Sequence, residues 1–393
     1  MSDSRPVAAI PLHKLPTFQV RLGFVPLLDS APLIMAQELG LFDGEGLHVE
    51  LVREGAWASV RDKVSFGLID GAQMLAPMPL TMSLSQGQPT TPVVTGMVLS
   101  RNGNGITLAS KLYDQLKARG ASEDNPLASA QHLLQLARER GRPIRLASVA
   151  PWSSHDLQLR DWLNSTGQVS SEDVQIIPVS PVQMVDAFRA GAVEGCCVGE
   201  PWNSVLELNG LGRILHSGHQ IWQNAPEKVL GMRADWAEQH PEIHLRLIRA
   251  LLGACRWLDN PANHTDLRQV LARPEYLGSQ IANLDHHPCS LFHPNLHQHF
   301  FRNSANFPWL SQAHWLATRL ECHGQLGALS IDTVKSVILP ELYRQAADTF
   351  GIDTPLVDGK TEGRHRLPFT LTGRHGPVNV SSDSLIGDQL HEW

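Results

Sequence analysis

The chain has 393 residues, which is enough for two or three lobes with separate hydrophobic cores. Hydrophobic residues make up 42% of the sequence and charged residues 18%, proportions that exclude a largely disordered protein. The formal net charge of −7 argues against a broad nucleic-acid surface, although it leaves room for a local pocket that holds a small anion.

Strands and helices alternate along the first part of the chain. Apolar alternation predicts strands, and apolar residues at helical spacing predict helices. The predicted strands span 19–27, 47–54, 70–79 and two pieces of 92–110, and the predicted helices span 31–42 and 57–69. Pro32 lies in the first helical turn, where its missing N–H costs nothing. This order is typical of βαβ units with a mainly parallel sheet.

The same alternation begins again at residue 142. Strands are predicted at 142–150, 174–180 and 194–200, and helices at 154–165 and 182–191. The polar, helix-prone stretch 111–141 leads into this second series. From about residue 233 the pattern becomes mostly helical, and from about residue 352 it shows little periodicity.

The two series of strands predict an α/β chain with two lobes. Its predicted parts are a flexible leader at 1–17, a discontinuous first lobe at 18–110 and 233–350, a second lobe at 111–232, and a loosely ordered C-terminal extension at 351–393. Ligands bind outside the carboxyl ends of the strands in such sheets, so a cleft between the lobes is the expected site. Residues that follow predicted strands are therefore the candidates for function.

The N-terminal sequence MSDSRPVAAIPLHKLPTFQV contains no continuous apolar segment, and Pro6, Pro11 and Pro16 interrupt it. No later stretch reaches the roughly 18 apolar residues of a membrane span, so we expect a cytoplasmic protein. The 5 cysteines include no C-x-x-C pair. That pattern disfavours a disulfide framework or a zinc site and fits a reducing compartment.

Candidate residues follow the strands of both predicted lobes. They are Asp29, Ser30, Trp57, Pro77 and Pro79, and then Asn104, His155, Pro181, Gly199, Glu200, Pro201, Trp202 and Lys228. Ser153 or Ser154 can cap the helix that starts beside His155, and the free N–H groups of that helix start can also hold an anion. A single lysine side chain is usually solvated. Lys228 is a candidate only because it lies just before a strand that crosses between the lobes.

Sequence patterns for catalysis and for metal binding are weak. The chain contains no G-x-S-x-G, P-loop, G-x-G-x-x-G or H-E-x-x-H motif. The histidine-rich segment 285–300 can bind a metal, but its irregular spacing favours helix caps and loop linings. Cys196 and Cys197 point to opposite faces of a strand and cannot act together as a dithiol. We therefore predict no enzyme activity, no cofactor and no metal.

Several separated motifs resemble the nitrate/bicarbonate-binding proteins of ABC transporters. They occur in the family's order over residues 18–340 and read GFVPLLDSAPLIMAQELGLF, VRDKVSFGLIDGAQMLAPMPL, GNGITLA, SHDLQLRDWL, CVGEPWN and FFRNSANFPWLSQAHW. The resemblance implies a two-lobed, periplasmic-binding-protein-like α/β fold of type II, the Venus flytrap, with an additional helical C-terminal part. The lobes of that family close on their ligand by a hinge motion.

The resemblance also implies an anion pocket. Matching the motifs position by position places these ligand-binding residues in it: Trp57, Asn104, His155, Pro181, Gly199 and Lys228. Asn104 stands where nitrate binders tend to have a glutamine, so its amide has a shorter reach. Lys228 stands where the bicarbonate branch has an acidic residue that works with calcium, which favours nitrate or nitrite held without a metal. Glu200 is not expected to contact the anion, but to act at the hinge or to support the ligand-binding residues, tied to a basic group.

Because the sequence shows no export signal, the chain resembles the cytoplasmic, NasS-like nitrate sensors related to this family. Such a sensor is expected to hold an ANTAR-domain RNA-binding antiterminator (NasT-like), and to release it when nitrate or nitrite binds. It contacts no nucleic acid itself. The alternatives are a solute-binding subunit of an ABC nitrate transporter and, less favoured, an enzyme resembling the thiamine-pyrimidine synthases. A Lys228→Glu substitution is expected to remove nitrate binding and to leave the fold intact.

Overall fold

Two mixed β-sheets of five strands each organise the residues that the structure, a computed structural model, describes: 17–84, 91–167, 169–278, 281, 293–327 and 330–393. The strands in chain order are Phe18–Phe24 (β1), Leu47–Arg53 (β2), Gly71–Leu75 (β3), Val93–Arg101 (β4), Asn104–Ala109 (β5), Ile144–Ser148 (β6), Val174–Pro178 (β7), Gly195–Gly199 (β8), Gly212–Ser217 (β9), Pro226–Arg233 (β10), Phe369–Thr372 (β11) and Pro377–Val380 (β12).

The helices cover the faces of these sheets, and several begin at start signals in the sequence. In chain order they are Ala31–Glu38 (α1), Leu41–Gly44 (α2), Trp57–Ser65 (α3), Met78–Leu84 (α4), Ser110–Ala118 (α5), Pro126–Arg140 (α6), Ser154–Asn164 (α7), Met184–Arg189 (α8), Trp202–Leu208 (α9), Gly218–Ile221 (α10), Ala234–Gln239 (α11), Pro241–Leu258 (α12), His264–Leu271 (α13), Leu310–Cys322 (α14), Ile331–Val337 (α15) and Pro340–Asp348 (α16). Helix α6 illustrates these signals. The side chain of Asn125 accepts from the N–H of Ala128, Pro126 opens the first turn, and Gly141 ends the helix with a φ of 62°.

The first sheet has the strand order β2-β1-β3-β10-β4. Strand β1 pairs in parallel with β2 and β3, whereas β10 runs antiparallel to β3 and β4. Every residue of β3 is buried, as expected for a central strand with both faces covered. Helices α1 and α12 pack together on this sheet, and their apolar residues join its core.

The second sheet has the strand order β7-β6-β8-β5-β9. Its limits along the chain differ from the predicted lobe boundaries. Strand β5 pairs with β8 and β9 and so lies in the second sheet, although the sequence places 104–110 in the first lobe. Strand β10 lies in the first sheet, although the sequence ends the second lobe at residue 232. Both strands adjoin a crossing between the lobes, where apolar alternation does not reveal which sheet a strand joins.

Two crossings connect the lobes, and they lie side by side. One crossing joins β4 to β5 through Asn102, whose backbone N–H donates to the carbonyl of Ala225 on the other crossing at 3.1 Å. The side chain of Asn102 donates to Asn224 Oδ1 at 3.2 Å. The φ values of Asn102 and Asn224 are 58° and 54°, a left-handed conformation that asparagine tolerates. The guanidinium of Arg101 donates to the carbonyls of Asn224 and Ala305, both at 2.7 Å, and so fastens the second crossing to the first lobe.

The C-terminal segment 351–393 is an ordered strap that contacts both lobes. The sequence predicts a loosely ordered extension here because the segment lacks periodicity. In the structure β11 and β12 form a hairpin, Val378 and Val380 join the first core, and Ile386 joins the second. Buried ion pairs hold the strap as well, because Lys360 Nζ lies 2.6 Å from both Glu362 Oε2 and Asp383 Oδ2. Irregular backbone held by such contacts leaves no periodic signal in the sequence.

No helix among the described residues is long and apolar enough to cross a membrane. The longest of them, α12, has 18 residues and includes the charged residues Glu242, Arg246, Arg249 and Arg256.

Candidate functional site

Lys228 lies at the centre of a buried cluster of charged groups between the lobes. Its side chain is fully buried, and Nζ is 2.7 Å from both Asp29 Oδ2 and Glu227 Oε1. In a regular strand Glu227 and Lys228 would point to opposite faces. The pairing of β10 with β4 is irregular on both sides of Lys228, and such a bulge redirects side chains. Both side chains therefore meet in the same place.

Trp57 covers this cluster from the first lobe. It is the first residue of α3, and its ring centroid is 5.4 Å from Lys228 Nζ, within the range of a cation–π interaction. The indole is almost fully buried, and its Nε1–H has no hydrogen-bond partner among the described residues. A buried N–H without a partner is costly, so this donor marks a place where an acceptor would be stabilised.

His155 faces the same cluster from the second lobe. Ser153 caps α7 by accepting from the N–H of Asp156 at 3.1 Å, which leaves Ser154 and His155 in the first turn. His155 Nε2 is 3.6 Å from Glu227 Oε1, and neither ring nitrogen has a hydrogen bond to a described residue. Burial lowers the pKa of His155 to about 4, so the ring is neutral at pH 7 and carries one N–H.

Glu227 is held by groups from three elements. Its Oε1 accepts from Ser154 Oγ of α7 at 2.7 Å and from Lys228 Nζ, and its Oε2 accepts from Asn104 Nδ2 of β5 at 2.6 Å. Asn104 Nδ2 also lies 3.1 Å from Gln158 Oε1. These bonds connect the first sheet to the second across the cleft.

Gly199 closes one side of the cluster. It pairs with Asn104 in the register of β5 and β8. A Cβ built on Gly199 would lie 3.5 Å from both Asp29 Oδ2 and Asn104 Oδ1. The next residue, Glu200, accepts a hydrogen bond from the N–H of Leu28 at 2.8 Å, so the lobes are in contact at this turn.

The charges of the cluster perturb one another. Burial raises the pKa of Asp29 to about 6, although Lys228 opposes this. Burial also favours the neutral form of Glu227, but the charge of Lys228 outweighs it and holds the pKa of Glu227 below its usual range. The pKa of Lys228 is raised, because Asp29 and Glu227 outweigh the effect of burial. At neutral pH one ammonium therefore faces two carboxylates.

The structure brings most of the predicted site residues together. Five of them lie around the cluster. Trp57, Asn104, His155 and Lys228 contact it or belong to it, and Gly199 pairs with Asn104 in the second sheet. Pro181 is buried at the turn that follows β7, and the contacts that connect the other residues do not include it. The sequence reasoning missed Glu227 and Gln73, whose amide bonds Asp29, and it considered Ser154, which bonds Glu227, only as a helix cap. Only the bulge beside Lys228 would have revealed Glu227, and a bulge has no sequence signature here.

The structure also tests what the sequence suggests for Glu200, which follows strand β8. Glu200 and Pro201 form a turn between the end of β8 at Gly199 and the start of α9 at Trp202. Glu200 is buried, and among the described residues no basic group forms an ion pair with it. Burial raises the pKa of Glu200 to about 7.

The histidines and cysteines provide no metal or catalytic centre within the described ranges. Among those residues no three His, Cys, Asp or Glu side chains are grouped as metal ligands. Residues 285–292 of the histidine-rich segment lie outside the described residues, and His297 stacks on His219 with centroids 4.3 Å apart. Burial raises the pKa of Cys196 and Cys197, so both thiols keep their protons and are poor nucleophiles.

A family model described as the NMT1-like family matches residues 13–272 of the sequence. The chain belongs to the NMT1-like family. The Synechococcus elongatus protein described as nitrate/nitrite binding protein NrtA is 31% identical over 363 residues, which cover 87% of this chain and 80% of NrtA. The solved structure of the periplasmic nitrate-binding protein NrtA from Synechocystis PCC 6803 is 30% identical with a TM-score of 0.75, and the match covers 84% of this chain and 88% of that one.

Other relatives are longer. The Synechocystis bicarbonate transport ATP-binding protein CmpC is 36% identical over 376 residues, which cover 91% of this chain but 55% of CmpC. The chain thus spans about half the length of the first curated relatives that it matches. These similarities confirm the two-lobed fold and the relationship to NrtA. NrtA is named as a binding protein, which confirms the prediction that this chain is not an enzyme.

Proposed function

We propose that this chain binds nitrate or nitrite in the cleft between its lobes. The observation that carries the proposal is a group of buried nitrogen atoms that have no hydrogen-bond partner in the described part of the chain, Trp57 Nε1 and the ring of His155, beside the ammonium of Lys228. A monovalent oxyanion would accept from those N–H groups and place its charge near the lysine. Pro181 and Gly199 complete the proposed pocket on the side of the second lobe.

Similarity to NrtA supports the choice of anion. The aligned region covers most of both proteins, and the lysine that the family resemblance assigns to nitrate is present as Lys228. His155 is neutral at pH 7, so it would serve as a hydrogen-bond donor while Lys228 supplies the positive charge. A pocket with one ammonium suits a monovalent anion better than a divalent one.

The NrtA relatives best support a role as the substrate-binding component of an ABC-type importer. The paired crossings at Asn102 and Asn224 provide the hinge that such a component needs. In this setting the closed form presents a defined surface of both lobes to a membrane partner.

A cytoplasmic sensor that holds an ANTAR-domain antiterminator is the second candidate. Its support is that the chain matches about half of CmpC and of NrtC, proteins that are named as ATP-binding. The chain has no P-loop, so we infer that the related segment lies beside the nucleotide-binding part of those proteins and works where ATP is used. Purified chain should then retain a purified ANTAR-domain protein without nitrate and release it with nitrate. Absence of binding, or retention in nitrate, would rule this role out.

Calorimetric titration with sodium nitrate tests the proposed ligand. We expect saturable binding at one site by the wild-type chain and little response to sulfate. A Gly199→Ala variant should weaken nitrate binding by about tenfold or more, because an added methyl in a close-fitting pocket costs roughly 1–3 kcal/mol. The new Cβ would meet its neighbours at ordinary contact distances, so the melting temperature should not fall.

The matched control is Gly44→Ala, since a Cβ at Gly44 meets nothing within 4 Å and the residue lies in α2. This variant should bind nitrate like the wild type. If the wild-type chain binds no nitrate or nitrite at any pH between 5 and 8, the proposed function is wrong.

A further inference from the structure

Glu227 already uses the groups that the proposed anion needs. Its carboxylate is fully buried and accepts from Lys228, from Asn104 and from Ser154. Two of these donors, Lys228 and Asn104, are residues of the proposed pocket. Donors from β10, β5 and α7 therefore converge on a side chain of the protein itself.

The carboxylate of Glu227 is chemically close to the proposed ligands. A carboxylate is planar, spreads one negative charge over two oxygen atoms and accepts hydrogen bonds in its plane. Nitrite and nitrate share the planar geometry, the single charge and the acceptor character. The same donors can therefore satisfy either the side chain or an external oxyanion, but one N–H cannot serve both fully.

The charges around Glu227 make the addition of a further anion unfavourable. Lys228 is the cation, Asp29 and Glu227 are carboxylates, and His155 from α7 is neutral. An external anion would leave this buried cluster with two uncompensated negative charges. A buried charge without a partner is strongly destabilising, so some compensation must accompany binding.

Titratable groups on the neighbouring elements do not supply that compensation. On β4, the guanidinium of Arg101 donates to the carbonyls of Asn224, Ala305 and Phe307. On β8, the buried thiol of Cys197 keeps its proton, and Glu200 beyond it supplies no positive charge in either protonation state. On β3, the neutral amide of Gln73 bonds Asp29. The proton acceptors that remain are the carboxylates of Asp29 and Glu227 and the neutral ring of His155. Burial lowers the pKa of His155 to about 4, so a carboxylate is the favoured place for the proton.

We propose that Glu227 is an internal anion of this site, and that an external monovalent oxyanion binds together with a proton taken up by Asp29 or Glu227. This inference rests on the proposed function, since nitrate is the anion considered. It makes Glu227 the residue that sets both the affinity and the pH dependence of binding. The added proton neutralises one carboxylate, so the cluster with bound ligand keeps one uncompensated negative charge and not two.

The direction of the pH dependence follows from these groups. Burial raises the pKa of Asp29 to about 6, so its carboxyl gains a proton as the pH falls towards 6. Nitrate keeps its single charge throughout this range, so any change in affinity reports on the protein. We expect the nitrate Kd to rise by up to about tenfold per pH unit between pH 6 and 8, the limit for uptake of one proton.

A Glu227→Gln variant tests the assignment, because it keeps the shape of the side chain and removes its charge. At pH 8 we expect nitrate to bind at least about tenfold more tightly than to the wild type, a gain of about 1.4 kcal/mol. The dependence of Kd on pH should also become weaker. The control is Glu362→Gln, which alters a buried glutamate that is likewise bonded to a lysine and a serine, but in the C-terminal strap. Nitrate affinity should not change in that control.

Proton uptake provides a second measurement that needs no variant. Calorimetry of nitrate binding to the wild-type chain at pH 7, in two buffers of different ionisation enthalpy, should show uptake of about 0.5–1 proton per nitrate. Nitrate binding without proton uptake, or unchanged or weaker binding by Glu227→Gln, would overturn the inference and leave the proposed function standing. Absence of nitrate binding by both proteins would overturn both.

Discussion

Replacing Lys228 by methionine is expected to lower the free energy of unfolding by about 3–5 kcal/mol at pH 7.5, the usual effect of removing one partner of a buried ion pair. Methionine fills a similar volume, but it leaves Asp29 and Glu227 buried with no cation beside them. Nitrate binding should be lost as well, because the positive charge is gone. Urea denaturation followed by fluorescence measures the first effect, and calorimetry measures the second.

The loss of stability should depend on pH. Without Lys228 the pKa values of Asp29 and Glu227 lose the influence that lowers them, so both carboxyl groups gain protons more readily in the folded protein. The penalty is therefore full at high pH. It begins to shrink above pH 6, because the pKa of Asp29 is already about 6 with Lys228 present, and it shrinks further as the pH falls. A triple variant with Asp29→Asn, Glu227→Gln and Lys228→Met should regain most of the stability. A loss below about 1 kcal/mol in the single variant would show that the pair is not buried as described.

The burial of Lys228 between two carboxylates also changes the expectation for Lys228→Glu. The sequence suggests that this substitution removes nitrate binding and leaves the fold intact. In the structure it would place three carboxyl groups in one buried cluster, so the fold should be strongly destabilised at neutral pH. The triple neutral variant is the better test of binding without loss of the fold.

Replacing Lys360 by methionine should destabilise the C-terminal strap by about 3–5 kcal/mol, again because two buried carboxylates lose their cation. Glu362 and Asp383 are almost fully buried, and Glu362 also accepts from Ser311 of α14 at 2.7 Å. Amide hydrogen exchange should become faster in residues 351–393 than in the two sheets. That pattern would show that the strap detaches before the lobes unfold.

The control for this variant is Lys117→Met. Lys117 also pairs with a glutamate, Glu123, but at 3.3 Å and with both side chains largely exposed. Exposed pairs contribute about 0–1 kcal/mol, so this variant should behave like the wild type. Equal effects of the two substitutions would argue that the strap is not held by buried ion pairs.

Local patterns predicted most of the elements, because they depend on a few neighbouring residues. The strand that contains Gly71 and the helix capped by Ser153 are examples, and Trp57 and His155 were located because they follow strands. Features that depend on distant residues were not predicted. The bulge that turns Glu227 towards Lys228 arises from pairing with β4, and the strap depends on packing against α14.

If the cleft opens about the two crossings at Asn102 and Asn224, as the proposed function requires, the strands farthest from these crossings move most. The crossings adjoin β4 and β10 in one sheet and β5 and β9 in the other, whereas β2 and β7 lie at the opposite edges. Strand β2 is three strands from β10, about 14 Å, so a rotation of roughly 10° moves it by about 2.5 Å. Pro181, which follows β7, is therefore expected to move far, whereas Asn104 and Glu227, with the ring of Trp57 5.4 Å from Lys228 Nζ, lie in the cluster near the rotation axis.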